Sequence, residues 1–230
     1  MNEPSRTPDV VHARLRTPRA AAIAGVVFSV LLFAVFLLMR GSVPSDPLAT
    51  GAWLQTGTTN VLIALNLVPF AGIAFLWFLG ALRDRLGARE DQFFATVFFG
   101  AGVLLLAMLF TAAAVVGAIL LAFHAAPEGV LNSATFHFGR GLAYGMINIY
   151  VVKTASVFMI TTSTIGVFTG LTPRWLALGG YAVAAVLLIG SYYVDWSLVV
   201  FPIWVLLISI TILSEQHSHT APISTDQPTN

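Results

Sequence analysis

A six-span, all-α transmembrane helical bundle is the fold class this sequence predicts, and three observations carry it. The 230-residue chain is 57% hydrophobic and only 9% charged, where soluble domains carry roughly one quarter charged residues. Its apolar residues gather into runs about as long as a helix needs to cross roughly 30 Å of hydrocarbon. The charges fall mainly between those runs. A closed bundle follows, because no loop satisfies its backbone within lipid.

In chain order, residues 1–19 hold Pro4, Pro8 and Arg6, Arg14, Arg16 and Arg19, too polar to bury a core, and read as a flexible tail. The membrane domain spans residues 20–213, with helices expected at about 20–39, 59–82, 93–123, 141–170, 175–193 and 196–213. Thr17 and Pro18 cap and start the first span, since proline at the first helical position loses no hydrogen bond. A basic front and an apolar run also describe a signal peptide, but this run exceeds the roughly 7 to 15 residues of a signal core and lacks a small-x-small cleavage site. It is expected to stay as a helix.

Residues 41–58, with Pro44, Pro47, Gly51 and Gly57, read as a loop whose Trp53 rests at the membrane interface. Asn66 and Pro69 interrupt the second span. RDRLGARED at 83–91 makes a charged turn into the long third span, with Gly87 ending one helix and Glu90 and Asp91 opening the next. Residues 124–140, with Pro127 and Gly129, are expected to form the largest loop. After the fourth span, GLTPRW at 170–175 supplies a helix stop, a cap and a proline start, making the fourth and fifth helices antiparallel neighbours. Tyr192, Tyr193, Asp195 and Trp196 form an interfacial aromatic turn into the sixth span. Residues 214–230 are polar and read as a second flexible tail.

The tripeptide Thr-Pro-Arg occurs at both 17–19 and 172–174. The matched helices share little beyond Ala22 with Ala177 and Gly25 with Gly180, which favours one capping solution used twice over an internal repeat.

Arginine placement predicts orientation. With a cytoplasmic N-terminus, the inner segments hold Arg6, Arg14, Arg16, Arg19, Arg83, Arg85, Arg89 and Arg174, and the outer ends hold only Arg40 and Arg140. The positive-inside rule then puts both termini in the cytoplasm, and the plasma membrane is the expected location.

The fourth span is the stretch around which the rest is expected to pack. At 100° per residue, Gly141, Gly145, Asn148, Val152, Ser156, Met159, Ser163, Gly166 and Gly170 share one stripe, mostly small or polar, of the kind that lets another helix approach closely. Lys153 borders it. An ammonium near the bilayer centre costs at least ~2.5 kcal/mol and needs a partner or water. No acidic residue lies inside any span, so the candidate partners are Asn66, Asn148, Ser156, Thr154, a carbonyl freed by Pro69, or a carboxylate on another subunit.

Intramembrane Asn and Thr, including Asn60 and Thr161 to Thr164, are expected mainly to hydrogen-bond neighbouring helices. His124, Glu128 and His137 offer an imidazole pair for a metal or haem, at a spacing that matches no metal signature. His217 and His219 form a bare HxH in the tail. Asp84, Glu90 and Asp91 among three arginines read as a self-paired connector. Zero cysteines exclude disulfides and thiolate chemistry, and a net charge of +1 argues against a nucleic-acid partner. No P-loop, GxGxxG fingerprint, HExxH or GxSxG is present.

FLWFLGALRDRLGAREDQFF at 75–94 and GLTPRWLALGGY at 170–181, with the Ala/Gly-rich third span, resemble a group of uncharacterised multi-pass proteins of actinobacterial and related bacteria. The resemblance covers most of the hydrophobic chain and implies a multi-pass topology but no activity. The expectation for function is a non-enzymatic membrane component or assembly subunit, in contact with the lipid bilayer and with either a second copy or a membrane partner, and without a cofactor. The alternatives are a small transporter or channel with a polar path near Lys153, Asn148 and Asn66, and a metal- or haem-binding membrane enzyme using His124 and His137.

Overall fold

A computed structural model describes residues 17–86, 92–131, 133–169, 173–190 and 197–218, and these are helical almost throughout, with no strand among them. The helices are α1 (Thr17–Ser42), α2 (Trp53–Thr56), α3 (Thr58–Leu86), α4 (Gln92–Ala125), α5 (Pro127–Val130), α6 (Ala134–Gly145), a π-helical segment (Met146–Val151), α7 (Val152–Thr169), α8 (Arg174–Gly190) and α9 (Ser197–Ser218). Four apolar stretches are long enough to cross a membrane: Ala20–Ser42, Thr58–Arg83, Phe93–Ala125 and Ala134–Phe168. The stretches in α8 and α9, Arg174–Gly190 and Leu198–Ser214, are shorter. At 1.5 Å per residue each reaches only about 25 Å. The expected connector around Gly87 to Asp91, the Gly170 to Thr172 helix stop, the Tyr192 to Trp196 turn, most of the first tail and the end of the second lie outside the described residues.

Residues 124–140, expected as a loop, are largely helical. Ser133 accepts a hydrogen bond from the Phe136 N–H at 3.1 Å and so caps α6. That bond supplies an acceptor to a donor the helix start would leave unpaired. Phe136, Arg140 and Ala143 then fall at i, i+4 and i+7 and are the buried residues of α6, giving it one face to pack. The fourth long stretch therefore starts at Ala134, about two turns before the glycine pair. Neither Pro69 in α3 nor Pro202 in α9 ends its helix.

The core is aromatic. Phe158 of α7 sits at its hub, with ring centroids 5.3 Å from Phe75 of α3, 5.0 Å from Phe98 of α4, and 5.9 Å from Phe201 and 6.5 Å from Trp204 of α9. Phe28 of α1 joins through Phe75 at 4.7 Å. Tilted and edge-on pairs of this kind add to the area they bury. The most apolar 18 residues of Ala134–Phe168 are 61% buried, against 28% to 39% for those of the other three, so this is the central long helix of the bundle. The exteriors of the long helices expose Trp77, Phe70, Ile73 and Leu37, an apolar surface of the kind a bilayer covers.

A second, smaller apolar cluster closes the Arg40 end of the bundle. It joins Trp53 and Leu54 of α2, Val61 of α3, Val116, Ile119 and Leu120 of α4, and Phe136 and Ala143 of α6. Trp53 is accordingly buried, at 7% exposure, where the sequence suggested an interfacial position. The apolar end of α4 and the buried face of α6 enclose it.

Candidate functional site

The single 100° stripe of the fourth span is divided in the structure. Ser156, Ser163 and Gly166 are buried, whereas Gly141 is exposed and Gly145 half-buried. A Cβ added at Gly141 or Gly145 would meet nothing within 4 Å. The π segment lies between the two groups. A π-bulge carries one residue more than the α-helix it interrupts, so residues beyond it are turned by roughly 100° relative to a continuous helix. The two halves of the stripe then cannot share a face. Gly170 lies outside the described residues.

Lys153 is exposed, with Tyr150 and Val157 beside it on the surface. No hydrogen bond or ion pair reaches its ammonium among the described residues. Its turn sits at mid-height, because the adjacent Val151, Val152 and Ala155 line a small apolar gap with Leu32 of α1 and Leu105 of α4. Leu32 is near the middle of Ala20–Ser42.

None of the residues expected to partner Lys153 hydrogen-bonds its ammonium. Asn66 is exposed on α3 and donates to its own Leu62 carbonyl at 2.8 Å. Asn148 donates to the Tyr144 carbonyl at 3.0 Å, and Ser156 to the Val152 carbonyl at 2.8 Å. Most of the expected interhelical glue behaves this way too, with Thr161 and Thr162 donating back to carbonyls of α7. Side-chain hydroxyls reach the carbonyl one turn back at no cost in backbone bonding, which leaves few free to cross to a neighbour. Thr164 and Asn60 are exceptions, the first with its hydroxyl 2.7 Å from the Tyr181 hydroxyl of α8 and the second donating to the Ser42 hydroxyl of α1 at 3.1 Å.

His124 Nδ1–H donates to the Leu120 carbonyl at 2.8 Å, and both His137 and Glu128 are exposed. No group of three His, Cys, Asp or Glu suited to a metal occurs among the described residues.

Sequence reasoning missed Arg140, which it counted only as an outer charge. Arg140 is 7% exposed. Its Nη2 donates to the Pro44 carbonyl at 2.8 Å and the Asp46 carbonyl at 2.6 Å, and its Nε to the Pro47 carbonyl at 3.1 Å. The guanidinium thus straps the segment after α1 onto α6, and its carbon lies 6.0 Å from the centre of the Trp53 ring. Its Nη1 and the indole Nε1 of Trp53 are both buried without a partner. The Asp46 carboxylate instead accepts from the Leu48 N–H at 2.9 Å. The available signal was the i, i+4, i+7 spacing of Phe136, Arg140 and Ala143, hidden by reading the region as a loop.

No family model, no curated protein and no solved structure matches this chain.

Proposed function

We propose that this chain is a non-catalytic subunit of a membrane assembly, docking through the Tyr150, Lys153 and Val157 face of the central helix onto a membrane helix of a different protein that carries a carboxylate. The supporting observation is Lys153 itself, exposed at mid-height on an otherwise apolar surface with no partner among the described residues. An ammonium facing lipid there costs at least ~2.5 kcal/mol, and a carboxylate on a neighbour removes that cost. A second copy of the chain offers no such group, because none of its ten acidic residues lies within an apolar run. The open sides of Gly141 and Gly145, on α6 of the same long stretch Ala134–Phe168, leave room for a close helix approach.

In the topology we propose, α8 and α9 also cross, giving six spans with both termini cytoplasmic in the plasma membrane, as the arginine distribution favours.

Native mass spectrometry on gently extracted protein tests the docking. The wild type is expected to carry an unlike membrane subunit, Lys153→Met to lose it while keeping its own thermal stability, and Lys153→Arg to keep it. Neutralising the partner's intramembrane acid should match Lys153→Met, with the double substitution no worse than either alone. A partner that stays bound to Lys153→Met would overturn the proposal. So would its release on Asp195→Asn with Lys153 intact, which would move the charge pairing into the chain.

A further inference from the structure

Between α1, α3, α4 and the π segment the bundle leaves a cavity of about 90 Å³. Every described side chain on its wall is apolar. Val68, Leu109 and Ala112 lie on a buried inner wall, and Phe36, Ile147 and Leu198 on a half-buried rim.

Two features of the chain put the cavity there. Ala64 of α3 and Ala112 of α4 are fully buried and each presents a single methyl, where the core elsewhere on these helices is filled by Phe75, Phe98 and Leu105. The start of α9 supplies the second. Gly25 of α1 abuts Ser209, Phe28 meets the Phe201 ring at 5.9 Å, and Phe36 shares the cavity wall with Leu198. Residue numbers rise along α1 as they fall along α9, so the two helices run oppositely and α9, which begins at Ser197, gives this level only its first turn.

A volume of about 90 Å³ is several times the ~10–15 Å³ that one water needs and falls short of the ~150 Å³ of an apolar cavity that takes benzene. Walls without polar side chains keep such a space dry. Side chains that face a void lose dispersion contacts, and an occupant of matching size restores them. We propose that this cavity binds one small apolar molecule of about the size of xenon, a class that includes dioxygen and the shortest hydrocarbons, drawn from the bilayer past Phe36 and Ile147. An acyl chain is too large for it. None of Tyr150, Lys153 and Val157 lines the cavity, so the proposal stands apart from the docking face.

Xenon is the probe. Full-length protein with labelled Met and Ile methyl groups, held in lipid nanodiscs, is followed by methyl NMR under rising xenon pressure. The methyls of Met39 and Ile147, on the cavity wall, are expected to shift and then saturate. Ile208, buried elsewhere in the core, should stay still, and the exposed Ile73 and Ile189 should drift linearly with xenon dissolved in lipid. Ala112→Val fills the space and should abolish the saturable shifts; Ala64→Val replaces it if that variant does not fold. Val116→Ala enlarges the cavity toward the ~150 Å³ that admits benzene, so benzene should raise its melting temperature and leave the wild type unchanged. Shifts at the exposed methyls only, or wall shifts that rise without saturating, would overturn the proposal. Saturable wall shifts that survive the filling substitution would overturn it as well.

Discussion

Two adjacent glycines of α8 are expected to respond oppositely to the same methyl group. Gly180 is buried where α7, α8 and α9 meet, and a Cβ placed on it would overlap the Ser163 hydroxyl and lie 2.9 Å from Trp204 Nε1. Ordinary contact begins near 3.4 Å, so α8 must withdraw by about 1 Å or Ser163 and Trp204 must shift together. Overpacking of this kind costs ~1–3 kcal/mol. Gly179, one residue earlier, is exposed with nothing within 4 Å of an added Cβ. Both substitutions gain the same helix-propensity term, up to ~1 kcal/mol for Gly→Ala. The difference between Gly180→Ala and Gly179→Ala therefore isolates the packing cost, at ~1–3 kcal/mol. Reversible unfolding in mixed micelles with increasing denaturing detergent measures it. Ser163→Ala removes the closer of the two obstacles, so the pair Gly180→Ala with Ser163→Ala should recover at least ~0.5 kcal/mol beyond additivity. A difference between the two glycines under ~0.5 kcal/mol, or strict additivity in the pair, would refute the tight three-helix junction.

Phe158→Ala is expected to cost ~3–5 kcal/mol, because the ring is fully buried and touches aromatics of α3, α4 and α9 at once; the same micelle titration reads it, and a loss under ~1.5 kcal/mol would remove it from the hub. Ser133→Ala deletes the cap of α6 and should cost ~1 kcal/mol, seen as faster amide exchange over residues 134–137 with the rest of the bundle unchanged.

How much of this was legible beforehand differs from element to element. The first four apolar runs are recognisable from composition alone, since a stretch that long and that free of charge has few other places to go. The start of α8 after Pro173 was legible for the local reason that proline presets a first turn. α6 was not, because Pro127, Gly129 and two histidines outweighed a buried seam of only three positions, one of them an arginine. Loop and helix signals compete there, and the deciding contacts come from α4 and from Trp53 and Leu54 of α2, the latter far away in the chain. Trp53 was misplaced for the same reason. An aromatic beside prolines suits an interface until a helix end from elsewhere covers it.

The sequence by itself determined the helical class and its fit to a membrane, the positions where most helices begin, and the presence of a costly lysine in the middle of an apolar run. These depend on composition and nearest neighbours, which a linear reading contains. Only the tertiary structure decided which face each residue presents. The π segment between Gly145 and Val152 turns the two halves of the fourth span apart, placing Ser156 and Ser163 inside and leaving Lys153 on the surface. It also turned Arg140 from a terminal charge into a buried strap. A uniform helical periodicity cannot express the first outcome, because burial is set by what packs against a helix and by where its register slips.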